Sequence, residues 1–249
     1  MSLRSTRVIS RLVLLLAVAV AFAACAAASK KPPETKEVDS GSFGIFVSGK
    51  RVATETFRIQ QSPEMSTLKS EIRVEEGDKA SQSSELQITP AGDLRRYEWH
   101  ATSPEKAEVV VEPQDQMLVE HMTAGDGKPI EQPFILPAST IVLDDYFFSQ
   151  RELLAWRYLA TSCHPEGAGK QCQLAKSQFG VLVPRQRSSI LVTLEYMGKD
   201  KITVRGKEME LNRFSLQTEG TNDWALWLDD NYRLIRVLIA ADNTEVVRD

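Results

Sequence analysis

Three cysteines, three histidines and adjacent carboxylates such as Asp144-Asp145 and Asp229-Asp230 are the side chains here whose types could do chemistry. A zinc centre needs ligands at characteristic spacings, and His100, His121 and His164 fall in unrelated segments with no such pair among them. Cys163-His164 lacks the Cys-x-x-Cys-His spacing of covalent haem attachment. Paired carboxylates can act as acid and base on a glycosidic bond. Asp144 stands instead where a helix needs an N-cap, and Asp229-Asp230-Asn231 suits a tight turn. The chain also lacks a Gly-x-Ser-x-Gly elbow, a His-Glu-x-x-His pair and a phosphate-binding glycine loop, so no catalytic residue, metal or cofactor is expected.

Cys25 has a different setting. Arg4, Arg7 and Arg11 precede an apolar run from Leu12 to Ala28, with no acidic residue before Glu34, the order of a secretory signal. Such a run is short for crossing about 30 Å of hydrocarbon. Phe22-Ala23-Ala24-Cys25 looks like a bacterial lipobox, with Phe22 where that pattern prefers Leu. Cleavage before Cys25 makes 1–24 the signal and leaves Cys25 to carry a lipid; cleavage after the small-x-small Ala26-Ala27-Ala28 discards residues 1–28. Cys163 and Cys172 then form an even pair that reads as one disulfide in an oxidising compartment. The stretch 25–41, with its Pro-rich charged core, reads as a flexible tether to a single β-rich domain, 42–249. The expected location is the periplasm, tethered to the outer membrane through the N-terminal lipid, or free in the periplasm if Cys25 is lost.

Without the signal's three arginines, 27 of the 30 basic residues face 34 acidic ones, a net charge of -7. Nucleic acid, which is bound through basic surface, is not an expected partner.

The elements that would position any site are mostly strands. Period-two alternation recurs from Phe43 to Arg248, as in Leu68, Ser70, Ile72 and Val74, or Tyr97 and Trp99 opposite Arg96, Glu98 and His100. So many short strands imply a large antiparallel sheet that curls on itself, an incomplete β-barrel. One helix interrupts them, Asp144 to Ala160, with Asp144 as N-cap and Asp145 at the positive end of its dipole. Phe147, Phe148, Leu154, Ala155, Tyr158 and Leu159 form its apolar stripe, while Trp156 widens the greasy surface, so the helix belongs inside the curl. Phe147, Phe148, Arg151, Leu154, Trp156 and Tyr158 are the candidate ligand-binding residues, with core packing as the alternative account of the aromatics. Arg151 in that stripe is either buried beside a carboxylate, offering a cation to a headgroup, or reaches the rim with its stem along apolar surface.

The segments LDDYFFSQRELLAWRY, GVLVP, ALWLDDNYRLIRVLI and EVVR resemble an uncharacterised family of exported bacterial β-rich proteins. More distantly, the signal, the tether and the many-stranded sheet around a helix are similar to the lipoprotein-carrier (LolA/LolB-like) superfamily of incomplete barrels. That resemblance implies a hollow that binds acyl chains. The expected function is therefore non-enzymatic binding of a hydrophobic ligand such as a lipid or acyl chain. An envelope scaffold that binds a protein partner is the alternative, and a hydrolase of envelope polymers the third reading.

Overall fold

Alternating side chains want one face of a sheet buried, and the chain meets that demand with a single continuous sheet. The computed structural model describes residues 34–249 apart from 76–80, 104, 126, 145, 167–168, 173–175 and 219–222. The expected signal, Cys25 and Asp145 lie outside the described residues. A first antiparallel meander comprises β1 (Lys36–Val47), β2 (Lys50–Gln61), β3 (Ser66–Val74), β4 (Ser81–Ile88), β5 (Leu94–Ala101), β6 (Ala107–Gln114), β7 (Met117–Ala124) and β8 (Ile130–Phe134). Strand β9 (Ile141–Val142), helix α1 (Gln150–Ser162) and a separate hairpin of β10 (Cys163–Glu166) and β11 (Gly169–Cys172) follow. A second meander comprises β12 (Lys176–Val183), β13 (Ser188–Val204), β14 (Lys207–Thr218), β15 (Trp224–Leu228), β16 (Leu234–Ile239) and β17 (Thr244–Arg248).

Pairing of β1 with β17, from Phe43 opposite Arg248 to Val47 opposite Thr244, fuses the meanders into one 15-stranded sheet. Its edges are β8 and β9, and β9 joins β12 in parallel while the other pairings are antiparallel. Residues 135–140 alone connect these two edges. Six extended residues reach roughly 20 Å, so the sheet must curl to bring its edges together. The crossing segment is pinned to β5 by the N–H of Leu94, which donates to the carbonyl of Ala138 at 2.6 Å. The architecture is the expected curled sheet around one principal helix.

Inside the curl, Leu154, Ala155, Tyr158 and Leu159 of α1 are buried against inward residues of both meanders. Tyr158 packs edge-on against Phe214 of β14, with ring centroids 5.6 Å apart. Burial of a side chain of this size contributes about 2 kcal/mol. A second, smaller core lies on the other face, where Val204 and Leu211 cover Trp227 and Val247. The long β13–β14 hairpin reaches it by bending at a bulge between Tyr196 and Gly198, where Gly198 takes φ +92°.

Two boundaries differ from expectation. Strand β1 starts at Lys36, inside the expected tether, because Asp39 is buried and clamped by Arg248 of β17 at 2.6 and 2.9 Å. Helix α1 starts at Gln150 rather than Asp144, and residues 146–149 form turns ahead of it. Asp144 does not cap it; its carboxylate is turned to Tyr97 and Arg185.

Candidate ligand groove

Burying the start of a helix leaves backbone N–H groups that need acceptors. Glu55, at an inward position of β2 with no solvent exposure, supplies them. Its carboxylate accepts from the N–H of Phe148 at 2.7 Å and from the hydroxyl of Ser149 at 2.5 Å, and that hydroxyl also contacts Ser70 at 2.8 Å. Burial pushes Glu55 up to about 7, while the donors from Ser149 and Phe148 pull the other way. Further along, Glu152 accepts from the N–H of Leu234 at 2.8 Å and is pushed up to about 9 by burial and by the nearby Asp39 charge. Trp156 donates its indole N–H to the carbonyl of Tyr232 at 2.8 Å. Asp144 accepts from Tyr97 Oη and from Arg185 Nε, both at 2.6 Å, and its N–H donates to Gln150 Oε1. Burial, with Asp144 alongside, raises the Tyr97 phenol well above its usual range. These carboxylates tie the helix and its approach to the wall, and among the described residues no three His, Cys, Asp or Glu side chains gather as metal ligands.

Between this anchored turn and the sheet, the mouth of the curl stays open at one end as a groove of about 570 Å³. Its wall comes from the ends of seven neighbouring strands, β4-β3-β2-β1-β17-β16-β15. Ile45, Val47, Val52, Ala53, Ile72, Val74 and Ile239 make it apolar, and Tyr146, Phe148 and Trp224 add an aromatic side. Gln82, Thr244 and Asp242 are its polar members. Each of the three rings carries a guanidinium: Arg151 lies 5.3 Å from Phe148 and 5.0 Å from Trp224, and Arg185 lies 5.0 Å from Tyr146. A hollow of about 740 Å³ on the outer face of β1–β5 is instead a polar trough over Ser40, Ser42, Thr56 and Ser83.

Of the candidate ligand residues, the groove takes Phe148. Phe147, Leu154 and Tyr158 have no exposed surface and belong to the packed core. Trp156 borders a crevice of about 120 Å³ with Pro90, Gly92 and Arg157, away from the groove. Arg151 is 3 % exposed and does not reach the rim. Its Nη1 donates to the carbonyls of Asp144 at 2.6 Å and Phe147 at 2.8 Å. Cys163 and Cys172 stand opposite each other in the β10–β11 backbone register, and their side chains lie outside those described. Sequence reasoning missed the wall residues and Glu55. A signal for Glu55 existed, because the inward phase of β2 reads Ala53, Glu55, Phe57, Ile59, and an acid in that row must meet a donor.

No protein-family model matches the chain, and no curated protein matches it. Among solved structures it is similar to a beta-barrel-like protein of domain of unknown function DUF1849 from Brucella abortus, with a TM-score of 0.49 and 8% identity over 84% of this chain and 94% of that one.

Proposed function

We propose that the chain is an exported, lipid-anchored periplasmic protein that holds a hydrophobic ligand in the mouth of its curled sheet and performs no chemistry on it. The observation that supports this reading is the 570 Å³ groove, whose size and mainly apolar lining are those of a small-molecule site. Helix α1 fills the rest of the curl, so the ligand sits above the helix start, not along its stripe. Export and the lipid on Cys25 follow from the charged, apolar and small-residue order of the first residues. The acids give a hydrolase little to work with, since Glu55, Asp144 and Glu152 are each engaged by donors of the helix or wall.

Native mass spectrometry of the protein extracted from its own membranes tests this reading. The expected spectrum shows a diacylglycerol-sized increment and a retained hydrophobic species, and Val74→Trp, which fills the groove from its wall, loses that species. A protein that emerges empty and takes up no apolar fluorescent probe overturns the binding role.

An envelope protein partner is the second reading, favoured by Ile135 and Leu191, which are 91% and 54% exposed. Crosslinking followed by a pull-down that recovers one protein reproducibly, with no lipid, would support it over the first.

A further inference from the structure

We infer that the groove takes a single-chain fatty acid, with the alkyl tail along Ile45, Val52 and Ile72 and the carboxylate at the Gln82 end. This deepens the binding role proposed above and rests on it.

Gln82 lines the groove, and its amide is oriented by its neighbours. Its Oε1 accepts from Trp99 Nε1 at 3.2 Å and from Arg185 Nη1 at 3.1 Å. An indole N–H and a guanidinium can only donate, so the oxygen belongs on their side and the NH2 is the end left to serve other partners. Behind it, Arg185 lies 5.3 Å from the Trp99 ring and 5.0 Å from the Tyr146 ring. Its Nε is taken by Asp144, and its buried Nη2 has no hydrogen-bond partner among the described residues. A buried donor without an acceptor is costly. A groove ligand meets the Gln82 amide rather than that buried Nη2, but a group that only accepts is matched there to the NH2 with the Arg185 charge behind it, and a carboxylate is such a group.

The acids nearby do not cancel this preference. Asp144 is engaged by Arg185 and Tyr97, and Asp242 stands exposed at the rim, where water screens it. A groove of about 570 Å³ fits one drug-sized ligand, which favours a single tail over a diacyl lipid.

The test is displacement of N-phenyl-1-naphthylamine from the full chain by palmitate, hexadecanol and hexadecyltrimethylammonium. Palmitate should act at about ten-fold lower concentration than hexadecanol, the factor expected of a hydrogen bond to a charged group, and the cation should be weakest. Gln82→Glu keeps an acceptor for Trp99 and Arg185 while replacing the donor by an anion, so the advantage of palmitate should vanish. Equal displacement by all three chains in the wild type overturns the head-group assignment and leaves the binding role standing. A preference for palmitate that survives Gln82→Glu removes Gln82 from the site. Displacement by none of the three overturns both.

Discussion

The two faces of the sheet are covered by different elements, and their interiors differ accordingly. A helix covers the inner face, and buried Asp39, Glu55, Asp144, Arg151 and Glu152 come with it. On the outer face the β13–β14 hairpin covers only the stretch around Trp227 and Val247, and that small core with Val204 and Leu211 has its polar partners at the edge. There Asp200 accepts from Trp227 Nε1 at 3.1 Å, and Arg236 lies 5.1 Å from the indole ring. A hairpin arrives with its backbone donors already paired in the ladder, whereas a helix brings unpaired N–H groups at its start. Hiding that start therefore draws acids into the interior, and hiding a hairpin does not.

The largest effect that would sharpen this contrast is a deletion in the inner core. Tyr158→Ala removes a ring with no exposed surface, packed on Phe214, from the middle of the helix. It should cost about 3–5 kcal/mol, the range for large aromatic truncations. Leu211→Ala in the outer core should cost about 2 kcal/mol, the low end for leucine, because the buried cluster around it is small and its other members, 5–8% exposed, can close over the gap. Urea denaturation of both variants measures the difference, and equal losses would break the comparison.

A smaller effect comes from pH, and it belongs to the inner face. Glu55 rises from an ordinary 4.5 to about 7 and Glu152 to about 9, in both cases chiefly through burial. Glu120, on β7, is likewise pushed up to about 7 by burial, with Arg187 opposing and Asp144 assisting. A carboxyl whose folded value is raised binds its proton more tightly in the folded state. Its contribution is fully present below pH 4.5 and is lost as pH rises through the folded value. Stability should therefore fall from about pH 5 through all three acids, with Glu55 and Glu120 contributing up to about pH 7 and Glu152 continuing the fall to about pH 9. Melting temperatures across that range measure it, and Glu55→Gln should flatten its first part. A curve that rises from pH 5 to pH 8 would mean that these acids hold their charges comfortably.

Much of this contrast was written in the sequence, though not its long-range half. Strand phase could be read directly, since Leu68, Ser70 and Ile72, or Tyr97 and Trp99, alternate as local rules demand and do face inward. The helix was legible through its stripe but not in its start, because Asp144 has the composition of an N-cap and the carboxyl group that takes the first donors, Glu55, lies on another strand. A cap from across the fold leaves no local spacing to find. The groove was hidden for a related reason: its wall is one or two residues from each of several strand ends, and each alone looks like an ordinary core position. The overlooked edge strand β9 has two residues, too few for any period.

The smallest predicted effect concerns the bend that makes the outer core possible. Gly198 sits in the bulge of β13 at φ +92°, and no heavy atom lies within 4 Å of where a Cβ would be. Space is therefore not the obstacle to Gly198→Ala; the backbone conformation is, and it should cost about 1 kcal/mol. Relief of that strain straightens the hairpin and lifts Val204 and Leu211 from Trp227, while Tyr158 and Leu154 on the opposite face keep their neighbours. Hydrogen exchange should accelerate in residues 199–211 and stay unchanged in α1. If α1 loosens equally, the two faces unfold as one unit, and the outer core is a working part of the inner one.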